Sequence, residues 1–98
     1  QPYDGRHFPA RVPALDPEAA EWLLWLGVRL FGVNVPSVDP LDSKTMVSHR
    51  LLFAAGAGLL ENLDLSGVVP NRAYWLAAPP LKVVGADAAP VRALVRPV

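Results

Sequence analysis

Two kinds of hydrophobic pattern follow one another along the chain. From Asp16 to Gly27 the spacing is helical: Trp22, Leu23, Leu26 and Trp25 supply a broad apolar stripe, introduced by Asp16-Pro17-Glu18. That tripeptide offers an N-cap carboxylate, a proline at the first helical position and an acid in the first turn, and Gly27 suits the left-handed residue that stops a helix. The pattern predicts a helix of about three turns. Val28 to Val33 is then short, β-branched and aromatic-rich, as expected of a buried strand. Asn34 to Ser43 carries two prolines, two aspartates and two serines, the composition of a loop leaving a strand end, where function commonly resides.

A second helix is predicted over roughly 44–55, capped by Ser43 or Asp42 and ended by Gly56 and Gly58. Met46, Leu52 and Phe53 mark its apolar face, and His49, three residues after Met46 and four before Phe53, shares it. Leu59 to Leu63 reads as a short strand, Asp64 to Gly67 as a turn, and 74–78, 81–84 and 91–95 as further strands punctuated by Pro79-Pro80 and Pro90. Residues 1–15 hold three prolines and no clear period, which predicts an extended arm that packs on something else. The fold class expected is α/β in the broad α+β sense, with two helices packed on a mixed sheet. Residues 1–15 form the arm and 16–98 the α/β part of a single domain.

Composition narrows the function classes. Ninety-eight residues allow one small domain, and a hydrophobic fraction of 52% argues against disorder. Nine Lys and Arg balance nine Asp and Glu with no basic run, so the electrostatic footprint of a nucleic-acid binder or a polybasic membrane anchor is missing. The apolar run from Leu51 to Leu60 is too short to span a bilayer and contains two glycines. With no charged and apolar leader at its start, the sequence is expected to be cytoplasmic. The absence of cysteine excludes disulfides and Cys-based zinc sites, which leaves histidine and carboxylates as metal ligands.

Two histidines make the search for chemistry short. His7 lies in the arm beside Arg6 and Phe8, with no carboxylate nearer than Asp4, and reads as a structural or surface residue. His49 admits two readings: a core histidine whose ring nitrogens are satisfied by backbone groups, or a ligand. Glu61, set among leucines, is costly to bury unless paired or bound to a cation, although on a strand it can instead face water. Imidazole and carboxylate together suit zinc, but a catalytic zinc normally has three protein ligands. Phosphate-cradling glycine loops, nucleophile elbows and His-Glu-x-x-His are absent, so Ser37, Ser43 and Ser48 read as turn and capping residues. Trp22 and Trp25 read as packing residues, because no cationic groove accompanies them.

Longer stretches carry a more specific signal. Leu30 to Pro40 (LFGVNVPSVDP), Ser43-Lys44-Thr45-Met46, His49, Leu60-Glu61-Asn62 and the tail Leu81 to Ala93 (LKVVGADAAPVRA) resemble the bacterial kynurenine formamidases, of the metal-dependent cyclase-like hydrolases. The resemblance covers essentially residues 9–98, with Asn34, Arg50 and Ala89 departing from the family's usual Asp, His and Ser. It implies the carboxy-terminal part of a swivelling β/β/α cyclase-like domain. It further implies that His49 and Glu61, twelve residues apart, bind a divalent metal, zinc or else manganese. The other ligands and the proton-carrying histidine belong to an amino-terminal half that this sequence lacks, in keeping with its lack of an initiator Met. The implied partners are that half, a second protomer in a homodimer and a small-molecule substrate. The implied reaction is hydrolysis of N-formyl-L-kynurenine to L-kynurenine and formate, in which the metal activates water and polarises the amide carbonyl. The 98 residues alone are expected to be inactive. A lactam hydrolase of the same family acting on isatin, and a non-catalytic module that kept the fold without the metal, are the competing readings.

Overall fold

Asp16 begins the first helix by the means its position predicts: its backbone is extended, with φ −62° and ψ 140°, and its carboxylate accepts a hydrogen bond from the Glu18 amide at 2.8 Å. The structure, a computed structural model, describes residues 10–98, which form two compact units, one ending at Leu65 and one spanning Ser66–Val98. His7 and most of the predicted arm lie outside the described residues.

In the first unit, helix α1 covers Pro17–Trp25, strand β1 Leu30–Gly32, helix α2 Val47–Ala54 and strand β2 Gly58–Leu60. Gly27 follows α1 with φ +90°, a conformation that a Cβ would strain. β1 and β2 pair in parallel, Leu30 opposite Gly58 and Gly32 opposite Leu60, so α2 serves as the crossover that a parallel pair requires. The Gly58 amide donates to Arg29 O and the Val33 amide to Leu60 O, each at 2.9 Å, extending the pairing at both ends.

Ala20, Leu52 and Ala57 form the buried core, with Leu15, Leu24, Leu51 and Leu59 packed around it, and α1 lies against α2. A small residue at Ala20 lets the two helices approach closely. The expected tryptophan stripe is therefore not the core face: Trp22 is exposed and Trp25 is 81% exposed. The second helix also starts later than its sequence suggests. Met46 is left-handed, with φ 48°, so it stands outside the helical period and its side chain is exposed. The buried face of α2 is Ser48, His49 and Leu52, and Phe53 is exposed apart from an edge contact with the His49 ring, centroids 5.8 Å apart.

The second unit is an antiparallel pair, β3 (Tyr74–Ala77) with β4 (Leu94–Pro97), Tyr74 opposite Pro97 and Ala77 opposite Leu94. The α+β class holds, with parallel and antiparallel pairing in two separate two-stranded sheets. The strand expected at 81–84 does not form. Prolines at 79, 80 and 90 offer no N–H to a ladder, and Gly85, with φ +77°, turns the chain, leaving a Pro80 to Val91 bridge and a 2.9 Å bond from the Leu81 amide to Pro90 O. The last strand accordingly starts at Leu94 instead of Val91. No residue from Ser66 to Val98 is buried.

Candidate functional site

The polar residues of interest gather where the parallel pair ends. The loop after β1 carries Asp39, the first turn of α2 carries Ser48 and His49, and Glu61 directly follows β2. Carboxyl ends of parallel strands are where such sheets place their sites, because crossover loops converge there while the strands stay rigid. The chain is pinned at this end. The Asn62 amide donates to Val35 O and the Leu63 amide to Val33 O, each at 3.0 Å, with Asn62 left-handed at φ 57°.

The first turn of α2 presents free amide N–H groups, and its own N-cap residue, Met46, makes no side-chain cap. Asp39 fills that role from nine residues upstream. One carboxylate oxygen, Oδ1, accepts from the Ser48 amide at 3.0 Å, and the other, Oδ2, accepts from the His49 amide at 2.9 Å. Oδ2 also lies 2.7 Å from Nδ1 of the His49 ring. Asp39 is held in turn by its own amide, which donates to Ser37 Oγ at 3.1 Å. Burial pushes the Asp39 carboxyl up, but the His49 amide, the His49 ring and the Ser48 amide together outweigh it and hold the group below the usual aspartate range.

His49 is buried, and both its ring nitrogens meet carboxylates: Nδ1 meets Asp39, and Nε2 lies 2.8 Å from Glu61 Oε1. A carboxylate cannot donate, so only an imidazolium satisfies both contacts at once. With a neutral ring protonated at Nδ1, Nε2 becomes an acceptor facing a second acceptor, a gap that a cation suits. Glu61 is the solvent-facing member, its side chain 32% exposed against 11% for His49.

The structure thus brings together both residues singled out in the sequence, His49 and Glu61. The expectation of backbone partners for a core histidine is replaced by carboxylates on both sides. Glu61 lies just past β2 rather than inside a strand of leucines. Asp39 is the residue that sequence reasoning missed as part of the site, although its loop was marked as functional by position and its Ser-x-Asp spacing is a turn signal. Ser43 does not cap α2, whose helical amides Asp39 takes; Ser43 holds the turn before the helix and Ser48 ties it. Ser43 Oγ accepts from the Met46 amide at 3.0 Å, and Ser48 Oγ donates to Leu15 O at 2.7 Å, fastening α2 to the segment before α1. Among the described residues no three His, Asp, Glu or Cys side chains are grouped to hold a metal ion. Asp39 lies on the Nδ1 side of the ring, away from the position shared by Nε2 and Glu61.

No family model matches the chain. It is 47% identical over 91 residues to a kynurenine formamidase of Bacillus mycoides, covering 93% of this chain and 43% of that protein. A kynurenine formamidase of Geobacillus thermodenitrificans is 48% identical over 89 residues, covering 91% and 42%. One from Bordetella avium is 49% identical over 83 residues, covering 85% and 39%. Among solved structures the chain is similar to a potential metal-dependent hydrolase with cyclase activity, with a TM-score of 0.72 and 35% identity over 82% of this chain and 39% of the other. A predicted metal-dependent hydrolase from Bacillus stearothermophilus superposes with a TM-score of 0.71, also at 35% identity, over 82% and 38%. The chain spans less than half the length of the curated relatives it matches.

Proposed function

This chain is homologous to the carboxy-terminal half of kynurenine formamidases, and from that kinship we propose that it is part of a metal-dependent amide hydrolase that converts N-formyl-L-kynurenine to L-kynurenine and formate. The observation that carries the reading is the convergence of His49 Nε2 and Glu61 Oε1 at 2.8 Å at the carboxyl ends of β1 and β2. An imidazole nitrogen and a carboxylate oxygen are donors suited to a divalent cation, zinc first and manganese second. When bound, such a cation polarises a carbonyl oxygen and makes water a better nucleophile at neutral pH. His49 and Glu61 would hold it from this chain. Two donors leave a catalytic site incomplete, so the remaining ligands and the group that moves protons come from a complementary amino-terminal portion.

The same reading places both compact units in one cyclase-like domain, completed by that portion, in a cytoplasmic homodimer. Each unit exposes large apolar side chains for those contacts to cover, Trp25 in the first and Trp75 and Leu81 in the second. Among the described residues no helix is long and apolar enough to cross a membrane.

The test is an assay of the protein with its amino-terminal portion on N-formyl-L-kynurenine and on isatin. Formate release that a chelator abolishes and added zinc or manganese restores is the expected result. A preference for isatin would move the protein to lactam hydrolysis, and turnover indifferent to chelation would contradict the metal reading. A complete protein with no turnover and no stoichiometric metal would be a non-catalytic module.

A further inference from the structure

Asp39 makes more contacts at the site than a helix cap requires. Capping α2 calls for acceptors at the Ser48 and His49 amides, and those two bonds account for both carboxylate oxygens. The third contact, Oδ2 to Nδ1 of the His49 ring at 2.7 Å, is the shortest of the three and adds nothing to the cap. We infer that Asp39 is a positioning residue, which retains the ring proton of His49 on Nδ1 and so keeps the Nε2 lone pair aimed at the cation position beside Glu61. The inference rests on the reading of His49 and Glu61 as ligands.

The geometry leaves the ring little freedom. Because Oδ2 receives the backbone amide and the ring of the same residue, the imidazole is tied to the start of its own helix and cannot turn about its Cβ–Cγ bond without losing the acceptor. The Asp39 side chain is 5% exposed, which keeps water from competing for Nδ1. The Asp39 amide is in turn held by Ser37 Oγ, so the loop after β1 sets the carboxylate and the carboxylate sets the ring. Take Asp39 away and Glu61 is the one carboxylate left on the ring. The proton then belongs on Nε2, the nitrogen the cation needs bare. Carboxylates that fix ligating histidines in this manner tune metal affinity through tautomer and orientation.

The experiment compares zinc affinity, by chelator competition, in the protein with its amino-terminal portion and in its Asp39→Ala and Ser48→Ala variants. Asp39→Ala is expected to bind zinc about 10- to 100-fold more weakly. Ser48→Ala, which breaks the tie to Leu15 but spares the Nδ1 contact, is expected to retain wild-type affinity even where it lowers thermal stability. Nitrogen-15 NMR of the zinc-loaded wild type needs no variant. It is expected to show His49 coordinated through Nε2 with a protected proton on Nδ1. Coordination through Nδ1, or Asp39→Ala binding zinc as tightly as wild type, would overturn the role. An equal loss of affinity in both variants would reduce Asp39 to a stability residue and overturn it as well. Unchanged zinc binding by His49→Ala would instead strike at the ligand reading itself.

Discussion

Ser48 shows how far the anchoring of α2 depends on a single hydrogen bond in buried surroundings. Its hydroxyl donates to Leu15 O at 2.7 Å while its amide donates to Asp39, and the residue is fully buried. Ser48→Ala leaves the Leu15 carbonyl without that donor and is expected to cost about 1–3 kcal/mol in urea unfolding. Asp39 adds a pH dependence whose sign follows from its lowered pKa. The unfolded aspartate takes up its proton first as the solution is acidified. The contribution of Asp39 is therefore complete above its ordinary value of 3.8 and is lost as pH falls below that value through the folded one. Asp39→Ala should flatten the acid limb of the stability profile, and a limb as steep as wild type would count against it. His49 and Glu61 were legible in the sequence because an imidazole on a helix and a carboxylate among leucines stand out locally. Asp39 was not, because its partners lie nine and ten residues away and no local pattern joins a loop carboxylate to a distant helix turn.

At the scale of elements, the first helix rests on a local signal and the second on a distant one. Asp16 caps α1 through a bond to the Glu18 amide, so Asp16→Ala is expected to destabilise the first unit by about 1 kcal/mol. Leu52, fully buried between the helices, is the larger test: Leu52→Ala should cost about 2–5 kcal/mol by chemical denaturation, since the packed helices cannot close the cavity completely. The start of α1 was readable from Asp16-Pro17-Glu18 because capping residues act on their neighbours. The start of α2 was not, because Ser43 binds the Met46 amide in the turn before the helix while Asp39 takes the helical amides. Residues 81–84 looked like a strand by composition. Strand formation there depends on partners, and the prolines on both sides of the pairing remove the donors.

At the scale of the molecule, the buried residues among those described all lie in the first unit. The 98 residues are less than half the length of the relatives they match. Because a catalytic metal site normally takes three protein ligands and His49 and Glu61 are the two proposed from this chain, the isolated 98 residues are expected to show no formamide turnover in an assay that detects formate. The central claim is that His49 and Glu61 hold a metal ion. Its most direct test is the metal content, by elemental analysis, of the protein with its amino-terminal portion, beside its His49→Ala and Glu61→Ala variants. Each variant is expected to keep its fold by circular dichroism, to lose bound metal and activity, and to recover part of that activity in excess zinc. Both variants retaining full metal content and wild-type turnover would contradict it.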